Sequence, residues 1–375
     1  MSMPGSGRLG PGTPARAAYA LMMDAIDWKL AQRVGELLAG GNSYLGARAT
    51  DVQTLAEDFA ARVCAYTDLA LTEQLPQLEL VDRPRWIEAN IATMRPLLEP
   101  LSARVGEGSG PLAGAMRSLS GPLLGAQVGA VTGMLSQRVL GQYDIALLEE
   151  QPNPRLLLVA PNLAVASRTL NVDREQLTAW VTIHEVTHAV QFGGVQWLRP
   201  HLAGLLSQLI EGLDVKVGMS RSLRMPDADD LRTLVGRLRG GELLRLTLGE
   251  DRWALVEEMQ ATMSLIEGHA EHVMDAVGAE VLPTLDRLRA AMTRRRRERA
   301  WPWRILERML GMDMKLRQYE LGRRFCDEVV AQAGPGALNV VWSSAEMLPS
   351  SAELEHPDAW LARTQVRSLP AQADL

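Results

Sequence analysis

Asp173-Arg174-Glu175-Gln176-Leu177-Thr178-Ala179-Trp180-Val181-Thr182-Ile183-His184-Glu185-Val186-Thr187-His188-Ala189-Val190-Gln191-Phe192-Gly193-Gly194 has the pattern of a single helix. Asp173 and Gln176 stand at capping-box spacing. Trp180, Ile183, Val186 and Val190 recur at three- and four-residue steps and are available for burial, and the glycine pair stops the helix at about Phe192. In such a helix His184 and His188 share a face, with Cβ atoms about 5–6 Å apart. Two imidazoles so placed can chelate a metal at about 2.0–2.1 Å. Glu185 falls about 100° around the helix, beside the metal rather than on it. That place suits a general base acting on water held by the metal.

A catalytic metal needs a third protein ligand and one position left open to water. The chain offers Ile266-Glu267-Gly268-His269-Ala270-Glu271-His272-Val273-Met274-Asp275 on a later helix. Glu267, Glu271 and Asp275 follow at four-residue spacing and share a face. Glu267 is the expected third ligand. Glu271, one turn on, would then hydrogen-bond a ligand histidine and fix its tautomer, and the exchange of these two roles stays open. His269 and His272 lie off that face; they are candidates for polarising a substrate carbonyl or holding an oxyanion. Gly268 and Ala270 keep the helix slim, as close approach of another helix would require.

These segments, together with Leu140-Gly141-Gln142-Tyr143-Asp144 and the tail motif from Val341-Trp342 to Trp360, resemble the zincin-like metallopeptidases of actinobacteria and relatives. That family was long described as a domain of unknown function or as hydrolases, and one branch is named for association with deazaflavin coenzyme biosynthesis. The resemblance runs from about Trp28 to the tail and implies a mainly α, zincin-like fold with a small β element near the active-site helix. It implies Zn²⁺ on His184 and His188 with Glu185 as catalytic base. It also resembles the gluzincins, whose glutamate ligand has an acidic partner four residues on. Glu267 and Glu271 match that spacing, with glutamate in place of the more usual aspartate. The long gap from His188 to Glu267 calls for an inserted helical element.

Outward from the motif, apolar spacing predicts helices over Ala18–Leu38, from Thr50 (with Gln53 at capping-box spacing), over Trp86–Leu98, Leu123–Leu140 and Trp197–Val217, over Arg252–Val277, and twice more between Leu282 and Ala333. Pro226–Asp230 reads as a loop or the start of a helix. Arg155–Val159 is the one clear strand, and at a sheet edge it could pair with an extended peptide. The tail from Gly334, with Trp342, Leu348 and Trp360, is expected to pack back on the body. The expected division is a disordered leader over 1–17, a helical region over 18–150 and a catalytic region over 151–375, or one continuous domain over 18–375.

A chain of 375 residues, about half of them apolar, can bury a sizeable core, and scarce aromatics with abundant Leu, Ala and Arg favour helix. A net charge of −6 gives no general reason to expect nucleic acid as a partner, and the run Arg294–Arg297 reads as a solvated helix face. Cys64 and Cys326 are too few for a disulfide framework. The leader has no signal-peptide core and no stretch reaches membrane-spanning length, so a cytoplasmic protein is expected. The expected activity is zinc-dependent hydrolysis of a peptide or protein substrate. Its rivals are an inactive zincin-fold protein-binding module and a small-molecule amidase.

Overall fold

The computed structural model describes residues 26–40, 49–105, 111–149, 153–211, 250–297 and 312–365. The leader and Pro226–Asp230 lie outside them, as does the predicted helix beyond residue 211. The architecture is mainly helical with a small three-stranded sheet. In chain order come α1 (Trp28–Ala39), α2 (Ala49–Thr67), β1 (Leu78–Val81), α3 (Arg83–Val105), α4 (Pro111–Ser136), β2 (Gly141–Asp144) and β3 (Arg155–Val159). Then follow α5 (Ala160–Leu170), α6 (Arg174–Gly194), α7 (Leu198–Glu211), α8 (Glu250–Val281), α9 (Leu285–Arg297) and α10 (Met312–Ala333), and a tail of short helical turns from Pro335 to Thr364.

The sheet order is β1-β3-β2, with β1 parallel and β2 antiparallel to β3. Arg155–Val159 is therefore the middle strand, which overturns the expectation of a free edge there for a peptide. Its four apolar residues, Leu156 to Val159, are all buried, because both sides and both faces are covered. Leu156 and Leu158 point into a core built from α2, α5, α6 and α9, whereas Leu157 and Val159 point into a second core with α1 and α3. The sheet takes strands from both sides of residue 150, so a division there would cut through it.

β1 and β2 have four residues each and are stabilised by pairing rather than by pattern. Gln53 serves this pairing: its Oε1 accepts from the Leu78 amide at 2.8 Å. At the other side Asp144 ends β2 in a buried ion pair with Arg155, 2.5 Å, and accepts from the Thr93 hydroxyl. Together these contacts fix β2 against β3.

Helix α6 starts as predicted, with the Asp173 carboxylate accepting from the Gln176 amide at 2.9 Å. It runs through Gly193 and Gly194 instead of stopping before them, and the two glycines leave room for Leu71 and the Ala70 carbonyl, which approach where side chains would otherwise stand. Helix α8, 32 residues and about 48 Å long, packs along α6 and most closely on α10. A Cβ at Gly268 would overlap the Gly322 backbone, and one at Gly322 would overlap Ser264. The expected slimness at Gly268 is thus a requirement of this helix crossing. The tail does pack back: Trp342 and Trp360 are buried in a third core with Leu198, Ile266 and Phe325. Among the described residues no helix is long and apolar enough to cross a membrane.

Candidate metal centre

Two helices meet to make the site. α6 contributes His184, Glu185 and His188, and α8 contributes Glu267. The two histidine Nε2 atoms are 3.2 Å apart. Glu267 Oε2 lies 3.6 Å from Nε2 of His184 and 3.5 Å from Nε2 of His188. A zinc-sized metal in tetrahedral coordination, with bonds of about 2.0–2.1 Å, needs donors about 3.3 Å apart. The triangle fits. The side chains of His184 and Glu267 are 22% and 24% exposed, so one side of it is open to solvent. Among the described residues this is the one group of three or more His, Cys, Asp or Glu with donor atoms all within 4.8 Å of one another. Glu271, one turn along α8, is buried but its carboxylate is not part of that group.

The surroundings favour the charged form of His188 and the ionised form of Glu267. Burial would lower the pKa of His188, but Glu267, Glu185 and the Gln191 hydrogen bond outweigh it and push it up to about 9. Burial would likewise raise Glu267, yet the two imidazoles hold its carboxyl well below the usual range. The donor set of two imidazoles and one carboxylate is one that a divalent cation such as zinc would fit.

Glu185 is placed by the strand beside it. Its Oε2 accepts from the Tyr143 amide on β2 at 2.7 Å. A Cβ at Gly141 would stand 2.8 Å from its Oε1 and Cγ and 2.7 Å from Val181. Only a glycine lets β2 pass this close. Burial raises the pKa of Glu185, an effect that the two neighbouring histidines oppose. The result is a carboxylate beside the cation site, held by a backbone donor, with an enhanced tendency to keep a proton it receives.

The remaining sequence candidates are placed differently. His269 is buried, with Nδ1 2.9 Å from Gln191 Nε2 and Nε2 3.3 Å from Trp342 Nε1. Protein groups cover both of its nitrogens, and burial drives its pKa down to about 3, so it has no free nitrogen and no charge to offer a substrate. His272 turns to the far side of α8. Its Nδ1 lies 2.6 Å from Asp327 Oδ1 and its Nε2 2.8 Å from the Tyr66 hydroxyl. Sequence reasoning missed Gln191, whose Oε1 lies 2.9 Å from His188 Nδ1. Its position three residues after His188 carried the signal. It also missed the individual roles of Gly141 and the Tyr143 amide, although both fall in the segment quoted for the family resemblance.

The profile of the family described as "Zincin-like metallopeptidase" matches residues 26–361. Among solved structures, the chain is similar to one described as a "putative hydrolase with a novel fold" from Chloroflexus aurantiacus. The two share 29% identity and superpose with a TM-score of 0.66, over 91% of this chain and 99% of the other. A search of curated proteins finds no match. Nearly the whole described chain falls within the one profile, and it belongs to the zincin-like metallopeptidase family.

Proposed function

We propose that this protein is a zinc-dependent hydrolase that cleaves peptide bonds, with zinc held by His184, His188 and Glu267 and with Glu185 as general base. The observation that carries the reading is the convergence of three donor atoms on a solvent-open point, with a fourth, non-converging carboxylate held beside it by β2. Zinc held there by His184, His188 and Glu267 would supply Lewis acidity toward a substrate carbonyl and lower the pKa of water. Glu185 would take the proton of a water entering from the open side and pass it to the leaving amine, a role that its burial favours. The Tyr143 amide keeps the carboxylate oriented through both transfers. Of the sheet's two edges, β2 is the one at the site, so an extended substrate backbone would meet β2 and not β3.

The test is a peptide library digested by the wild-type protein and by Glu185→Gln, both assayed for zinc. The expected result is zinc in both and cleavage by the wild type alone, with a loss of about 10²–10⁴-fold or more in the variant. Zinc in both without cleavage by either would favour the protein-binding module. Cleavage of small amides but not of peptides would favour the amidase.

A further inference from the structure

Gln191 lies where the two ligand-bearing helices touch and is fully buried. Its Nε2 is 2.9 Å from the Ile266 carbonyl oxygen, which can only accept, so the amino group must lie on that side. The carboxamide is thereby fixed in one orientation, and Oε1 faces His188 Nδ1 at 2.9 Å. That contact is a hydrogen bond only if Nδ1 carries the proton. In the neutral ring, the form that binds a metal, the lone pair is then on Nε2, the atom that converges with His184 and Glu267. The second N–H of the carboxamide points at His269 Nδ1, and His269 is closed off in turn by the tail residue Trp342. Ile266, whose carbonyl is held, immediately precedes Glu267.

We infer that Gln191 is the positioning residue of the cation site. Its single carboxamide sets the tautomer and ring plane of His188 and ties that ring to the backbone beside Glu267. The inference deepens the metal reading and rests on it. Outer hydrogen-bond partners of metal-binding histidines typically contribute about 10–100-fold in metal affinity, and here one residue serves a ligand on each helix.

The experiment uses the full-length chain, stripped with a chelator and titrated with zinc in competition with a dye. Gln191→Met keeps the volume and removes all three hydrogen bonds of the carboxamide; it should bind zinc about 10–100-fold more weakly. Thr187→Val, which removes a buried hydroxyl bonded to the Ile183 carbonyl one residue from His188, should bind as the wild type does. A second readout is the exchange of the His188 Nδ1 proton followed by nuclear magnetic resonance. It should be protected in the wild type and lose its protection in Gln191→Met. Gln191→Met binding within about threefold of wild type, or an unprotected Nδ1 proton in the wild type, would overturn the inference. If the wild type takes up no zinc at all, the metal reading falls and Nδ1 protection alone decides whether Gln191 positions the ring.

Discussion

Two clusters of histidine and carboxylate sit on α8 within two turns of each other. In the first, Glu267 meets His184 and His188 with three donor atoms turned on a common point 3.2–3.6 Å apart. In the second, His272 lies between Asp327 and Tyr66, and Asp275 lies between Arg289 and Arg323. A carboxylate only accepts, so His272 Nδ1 donates to Asp327 and, in the neutral ring, the Tyr66 hydroxyl donates to Nε2. The same residue types thus end in opposite states. One cluster turns three donor atoms on a single point with one side open to solvent, whereas the other is closed by ion pairs and hydrogen bonds. A count of histidines and acids cannot separate a candidate metal centre from a structural network; the convergence of the donor atoms does.

Breaking each cluster in turn gives the largest contrast. His188→Ala should weaken zinc binding by more than the roughly 10–100-fold that an outer partner costs. His272→Ala should leave zinc binding unchanged and lower stability by about 1–3 kcal/mol, through the stranded Asp327 and Tyr66 groups. Calorimetric zinc titration and urea unfolding of both variants check the pair. A loss of zinc in His272→Ala would erase the distinction.

A second effect separates ligation from catalysis. Gly141→Ala would push against Glu185 without touching any ligand. Displacement of a catalytic group by about 1 Å costs on the order of 10²-fold in rate, so kcat should fall by that amount with zinc content intact. On the other side of α8, Gly268→Ala inserts a methyl into the Gly322 backbone and should cost about 1–3 kcal/mol in unfolding free energy. Because Glu267 is its neighbour, zinc affinity should fall with it.

A pH dependence of similar or smaller size tests the burial of His269. Buried His269 has its pKa lowered to about 3, so below about pH 6.5 the unfolded chain binds a proton that the native chain refuses. Stability should therefore fall as the pH drops from 6.5 toward 3, by roughly 2 kcal/mol at pH 5. Urea midpoints at pH 7 and pH 5 should differ less in His269→Gln than in wild type. An equal difference in both would contradict a buried neutral His269.

Local features of the molecule were legible in the sequence, and features made by distant pairing were not. Helix α6 could be read because its cap, its apolar steps and its two histidines lie within one segment. Glu267 could be reached because a carboxylate row on one helix face is also a local pattern. β1 and β2 could not be found, since four residues such as Leu78–Val81 gain strand structure only from β3. The same omission made Arg155–Val159 look like a possible edge. His269 and His272 were misjudged for a related reason. Their partners Gln191, Trp342, Tyr66 and Asp327 come from other elements, and nothing at positions 269 or 272 announces them. Gly268 was readable in kind, as a slim point on a helix, while the helix it faces was not.

The claim at the centre of the account is that Glu267, and not its neighbour one turn on, completes the cation site. Zinc bound per chain should be measured after dialysis against a weak chelator for wild type, Glu267→Gln and Glu271→Gln. The account predicts about one zinc in wild type, close to none in Glu267→Gln and substantial retention in Glu271→Gln. Full retention in Glu267→Gln with loss in Glu271→Gln, or a wild-type protein that binds no zinc, would contradict it.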